Sequence, residues 1–73
     1  MTRIPSLTSR QLLAALRNAG YTESRQTGSH LTLKHPDRPS VIVPMHARDV
    51  NRGTLFRIVK QAGFSTEEFL DLL

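Results

Sequence analysis

Ser29-His30-Leu31-Thr32-Leu33-Lys34, joined through Pro36, Asp37 and Pro39 to Val41-Ile42-Val43-Pro44, decides the fold. From Ser29 to Lys34 the residues alternate. Leu31 and Leu33 therefore fall on one face of a strand, and His30, Thr32 and Lys34 on the other. Val41 to Val43 is a short β-branched strand, and Pro44, with no N–H to donate, ends it. The two prolines and Asp37 make the connection tight. Upstream, Thr27-Gly28 is a turn signal. Before it, Tyr21 to Gln26, polar with one aromatic, supplies a weaker first strand. Three short strands with turn-length connections form an antiparallel meander.

Helices flank this meander on both sides. Thr8 and Gln11 have the spacing of a capping box, with Leu7 and Leu12 placed as the hydrophobic staple around it. The helix that follows buries Leu12, Leu13, Leu16, Ala15 and Ala19 along one stripe, and Gly20 supplies its left-handed stop. After a loop from Met45 to Asn51, a second helix runs from Gly53 to Ala62 on Leu55, Ile58, Val59 and Ala62, and Gly63 ends it. Ser65 with Glu68, and Phe64 with Phe69, repeat the box and staple ahead of a short last helix. The pattern is α-β-β-β-α with a short C-terminal helix: an α+β fold, its three-stranded antiparallel sheet covered by helices on one face. Leu31, Leu33, Val41 and Val43 then point into the core. His30, Thr32 and Lys34 occupy the open face, where function should be sought.

The chain has 73 residues, enough for a single domain over residues 1–73 that buries about 60% of its unfolded surface. It has no cysteine, which excludes disulfide staples, a thiolate nucleophile and thiolate zinc sites. The longest apolar run, Leu12 to Leu16, is far short of the roughly 20 residues of a membrane span, and Met1 to Pro5 leads into no apolar signal-peptide region. A cytoplasmic protein without membrane contact is the expectation. Net charge is +4, unevenly spread. All ten Lys and Arg lie in residues 1–63 against Glu23, Asp37 and Asp49 (+7), whereas residues 64–73 carry only Glu67, Glu68 and Asp71 (−3). A basic body of this kind fits a polyanionic partner such as nucleic acid.

His30 is the focus for chemistry. It opens a strand after Gly28-Ser29, with Arg25 and Gln26 just before the turn and Lys34 two steps along the same face. An imidazole can exchange a proton with a ribose hydroxyl or a leaving oxygen, and nearby cations can hold a phosphate. On spacing alone, an exposed strand histidine without a role is the better reading. His35, beside Pro36 at a loop tip, reads as solvent-facing, and His46 lies in a loop with Arg48, Asn51 and Arg52. The three histidines lack metal-ligand spacing and a carboxylate partner, so no metal site is expected. Ser29 and His30 point to opposite faces, which disfavours a serine nucleophile. Arg25, Arg48, Arg52 and Arg57 with Lys34 and Lys60 could together track a phosphate backbone, although each alone reads as a solvated cation. The open face is poor in aromatic residues, unlike a base-stacking platform for single strands.

Gly20-Tyr21, Arg25-Gln26-Thr27-Gly28-Ser29-His30, Val43-Pro44-Met45-His46 and Gly53-Thr54-Leu55 together resemble the HicA toxin family. Ile58-Val59-Lys60-Gln61-Ala62-Gly63-Phe64-Ser65 continues the likeness into Glu68-Phe69-Leu70, so it covers nearly everything from Leu7 onward. The resemblance implies a double-stranded-RNA-binding-domain-like α-β-β-β-α fold used as an endoribonuclease. The family comprises messenger-RNA interferases of toxin–antitoxin pairs, neutralised by a HicB-type antitoxin. Its essential histidine falls on His30, which reverses the reading from spacing. Two departures stand out: Ser24 takes a place where an apolar strand residue is usual, and Ile42 leaves an apolar side chain near the open face.

The leading expectation is a ribonuclease needing neither metal nor cofactor, in which His30 acts on the ribose 2′-hydroxyl. Arg25, Gln26, Ser29, Lys34, His46, Arg48 and Arg52 are the candidate RNA-binding residues. The rivals are a non-catalytic RNA-binding module of double-stranded-RNA-binding type and a protein-interaction domain whose partner covers the open face.

Overall fold

A computed structural model describes residues 3–45 and 48–73. The elements run α1 (Ser9–Asn18), β1 (Thr22–Thr27), β2 (His30–Lys34), β3 (Val41–Pro44), α2 (Arg52–Ala62) and α3 (Thr66–Leu70). The strands form one antiparallel sheet in the order β1-β2-β3, the α-β-β-β-α architecture with its short last helix.

Local chemistry sets most of the boundaries. Thr8 Oγ1 accepts from the Gln11 N–H at 3.1 Å, and Gln11 Oε1 accepts from the Thr8 N–H at 2.9 Å. The box therefore satisfies two backbone donors at the helix start. At the other end Gly20 adopts φ 100°, its N–H bonding Arg17 O while the Tyr21 N–H bonds Leu16 O. This pair of bonds is a Schellman stop, which needs the left-handed residue. Gly63, at φ 89°, ends α2 with the equivalent bonds to Lys60 O and Val59 O. α2 begins one residue earlier than the sequence suggests, because Asn51 Oδ1 caps it by accepting from the Gly53 N–H at 2.8 Å. Ser65 and Glu68 close the second box ahead of α3, and the Phe64 and Phe69 rings meet at 6.3 Å.

Leu31, Leu33, Val41 and Val43 are buried beneath the helices with Leu12, Leu13, Leu16, Leu55, Ile58, Val59 and Phe69. Three further residues join this core. Ile4 is fully buried from the N-terminal segment, Val50 donates its N–H to Leu7 O at 2.7 Å, and Tyr21 packs at the α1–β1 junction instead of starting the strand. The Tyr21 hydroxyl donates to Pro39 O at 2.7 Å, tying the end of α1 to the β2–β3 connection.

His35 differs from its reading as a solvent-facing loop residue. It is half-buried, its ring 4.9 Å from that of Tyr21, with Nε2 2.9 Å from Ala19 O and Nδ1 accepting from the Asp37 N–H at 3.0 Å. Both bonds are made at once by the neutral ring carrying its proton on Nε2. His35 closes the C-terminal end of α1, where a carbonyl needs a donor.

β1 is an edge strand exposed along its whole length. It pairs with β2 through a two-residue turn, with Thr27 opposite His30 and Gly28 at φ 59° in the first turn position. A type II′ hairpin requires that positive φ. The register then slips at Ser24, between Arg25 opposite Thr32 and Glu23 opposite Leu33. Without that bulge, Glu23 would lie opposite Lys34 on the open face. With it, Glu23 turns to the helix side and pairs with Arg17 of α1.

Candidate active site

Because directly opposed residues share a face, the register defines the open surface of the sheet. It carries Thr22, Arg25 and Thr27 from β1, His30, Thr32 and Lys34 from β2, and Ile42 and Pro44 from β3. Among the described residues this face holds cations and an imidazole but no carboxylate. His30 is exposed, between Thr27 and Pro44. The strand that carries it is clamped from both sides, and the Ser29 carbonyl next to it accepts from the Met45 N–H at 2.6 Å.

His30 opens onto a cleft of about 320 Å³ lined also by Ile42, Pro44, Thr54 and Arg57. Ile42 and Pro44 form an apolar floor, Ile42 being 54% exposed. Thr54 and Arg57 come from α2, which runs along β3 in the opposite direction. Its far end is fixed by the Gln61 side chain, which donates to Ser40 O at 3.0 Å. Thr54, Arg57 and Gln61 lie on one side of the apolar stripe of α2, and that side faces the sheet edge. The helical spacing shows that the three share a flank. Which flank meets the sheet depends on how the chain returns after β3, which a local pattern does not encode.

The other residues expected to bind RNA are dispersed. Arg25 and Lys34 share the face of His30 but line no part of its cleft. Lys34 lies four residues along the strand, about 13 Å at the usual rise. Gln26 stands opposite Leu31 and so faces the helices; it lines a separate cleft with Arg10, Arg17 and Met45, and its amide donates to Gly28 O at 3.2 Å. Ser29 is half-buried in the turn. Arg52 is engaged by the fold: its guanidinium donates to Ile4 O at 2.8 Å and sits 5.3 Å from the Phe56 ring centre. Arg48 is exposed in the bend before α2, and His46 lies outside the described residues. Among the described residues no three His, Asp or Glu side chains come together as metal ligands would. No helix among them is long and apolar enough to cross a membrane.

Chemically, this surface can bring an imidazole and a guanidinium to one bound group from two directions, over an apolar floor. A phosphodiester beside a ribose hydroxyl fits those features: a proton to move, a negative charge to hold, and a sugar or base to rest on Ile42. Compared with known proteins, a family model described as the HicA toxin of bacterial toxin–antitoxin systems matches residues 9–64. A search of curated proteins finds no match.

Proposed function

The chain belongs to the HicA toxin family, as a toxin of a toxin–antitoxin system, and we propose that it is an endoribonuclease that cuts messenger RNA in the cytoplasm without a metal ion. The observation that carries this reading is the exposed His30 on a cationic sheet face free of carboxylates among the described residues, at the mouth of a cleft of nucleotide dimensions.

His30 exchanges a proton with the reacting oxygens. As base it takes the proton of the 2′-hydroxyl, whose oxygen attacks the adjacent phosphorus; as acid it then delivers that proton to the departing 5′-oxygen, which restores the neutral imidazole. A bond forms from the 2′-oxygen to phosphorus and the bond from phosphorus to the 5′-oxygen breaks, leaving a 2′,3′-cyclic phosphate and a 5′-hydroxyl. DNA lacks the 2′-hydroxyl and is not cut. Arg25 and Lys34 guide the backbone along the face. A HicB-type antitoxin neutralises the enzyme by covering this same surface.

The test is cleavage of a long messenger RNA by purified protein in EDTA, wild type beside His30→Ala. Cleavage by wild type alone, with cyclic phosphate ends, is the expected result. Products with 5′-phosphate ends, loss of cleavage in EDTA, or equal cutting by both proteins would overturn the reading. No cutting by either, with a salt-sensitive gel shift for both, would establish a binding module instead.

A further inference from the structure

We infer that α2 supplies the phosphate subsite of this reaction, with the Arg57 guanidinium and the Thr54 hydroxyl gripping the scissile phosphodiester across the cleft from His30. The inference rests on the ribonuclease reading and changes which cation serves it: Arg57, not Arg25 or Lys34, shares a cavity with the histidine.

Three features support it. Arg57 stands one helical turn from Thr54 on the side of α2 that Gln61 pins to the sheet edge through Ser40 O. Its backbone is therefore held at a fixed place relative to His30, as a preorganised charge requires. Secondly, Arg57 makes no ion pair among the described residues, whereas Arg17 is paired with Glu23, Arg38 donates to Ala62 O and Arg52 to Ile4 O. A guanidinium left unneutralised beside a carboxylate-free face matches the two non-bridging oxygens of a phosphodiester, which its planar fork can bind together. Thirdly, the apolar floor of Ile42 and Pro44 lies between the two polar walls. An isoleucine 54% exposed on a sheet face gains a partner there if the sugar or base of the held nucleotide rests on it.

In this arrangement Arg57 moves no proton. It neutralises charge that builds on the non-bridging oxygens as the 2′-oxygen attacks and the 5′-oxygen leaves, and Thr54 donates one hydrogen bond to the same group. The contribution is to the transition state, so it reads out mainly in kcat.

The experiment compares wild type, His30→Ala, Arg57→Ala, Arg57→Lys and Thr54→Val on one RNA of defined sequence in EDTA. Arg10→Ala, on the helix side of the molecule, is the charge-matched control. Circular dichroism and Tm verify that each variant folds, as expected for an exposed Arg57. Arg57→Ala should lower kcat by about 10² to 10³-fold with a smaller change in KM. Arg57→Lys should recover part of the loss, since an ammonium keeps the charge and loses the fork. Arg10→Ala should cleave like wild type. Arg57→Ala within about threefold of wild type while His30→Ala is inactive would overturn this inference and leave the ribonuclease standing. An inactive wild type, or a fully active His30→Ala, would overturn the ribonuclease reading and this one with it.

Discussion

Replacing Tyr21 by Phe removes one hydroxyl and nothing else, at a residue only 2% exposed. In the wild type that hydroxyl donates to Pro39 O at 2.7 Å, and the ring packs on His35. A typical hydrogen bond contributes about 0.5–1.5 kcal/mol net. Pro39 is itself exposed, so water can satisfy its carbonyl in the variant, and the loss should be about 1 kcal/mol, not the larger penalty of a stranded buried group. For a domain of this size that lowers Tm by about 4–8 °C. The pH dependence supplies a second, independent readout. Burial raises the Tyr21 pKa above its ordinary 10.0, partly offset by the nearby Arg38 cation. In the unfolded chain the phenol loses its proton near that ordinary value, while the folded chain still holds it. Wild-type stability therefore falls as pH rises from about 10 towards the folded pKa. The Phe variant has no phenol, and every other group is common to both chains and cancels in the difference. The gap between the two proteins should thus be widest at neutral pH and narrow above pH 10. Urea unfolding followed by circular dichroism at pH 7, 9 and 10.5 measures it. Equal midpoints at pH 7, or a gap that widens at high pH, would refute the assignment of the bond.

Two further predictions concern charge. Glu68, held low first by its hydrogen bonds to the backbone and side chain of Ser65, has a pKa below its ordinary 4.5. Its contribution is present above that value and drains away as pH falls through the folded pKa, so Glu68→Gln, which can keep the capping box without the charge, should lose less Tm between pH 5 and pH 3 than wild type. Secondly, Arg25→Glu combined with Lys34→Glu reverses the cationic part of the sheet face and should raise the Kd for a HicB-type antitoxin at least about tenfold, mainly through a slower association rate. An unchanged Kd by surface plasmon resonance would place the antitoxin elsewhere.

What the sequence made legible is what neighbouring residues decide among themselves. Thr8 with Gln11, Ser65 with Glu68, and the glycines at 20 and 63 fix helix ends over three or four residues, and all four act as their spacing indicates. The alternation in β2 needed only the pleat. It correctly separated Leu31 and Leu33 from His30 and Lys34. Long-range partners were hidden. His35 looked like a loop tip because the acceptor that holds it, Ala19 O, is 16 residues away, and Arg52 looked like a free cation because its acceptor, Ile4 O, is 48 residues away. Ser24 looked like a weakness in β1. A bulge, however, is recognised only against a partner strand, and the register shows this one steering Glu23 away from the open face. Thr54 drew no notice and Arg57 read only as one of six dispersed cations for the same reason: that they line one cleft with His30 depends on chain 24 and 27 residues further along.

The basic residues divide by what each one faces, and that division bears on how the surface works. Arg38 lies 4.0 Å from the Phe64 ring centre and donates to Ala62 O, closing the end of α2, while Arg17 and Arg52 are likewise tied to the helix side and the N-terminal segment. Of these, Arg17 is neutralised by Glu23, whereas Arg38 and Arg52 keep their charge but have their guanidinium groups anchored to backbone carbonyls and aromatic rings. Arg25, Lys34 and Arg57 have no such partners among the described residues: Arg25 and Lys34 stand further along the open face that carries His30, Arg57 lines its cleft, and on the proposed reading their charge is left free for a phosphate backbone. Two acids are correspondingly kept away: the bulge turns Glu23 to Arg17, and Glu68 serves the cap of α3, beyond whose end Leu72 O accepts from the Asn18 side chain of α1. A polyanion approaching at low salt would therefore be drawn to the sheet face and repelled from the acidic end of the chain. If that polyanion is the proposed RNA, charge alone would turn its backbone towards His30 and Arg57 on encounter, before any base-specific contact forms.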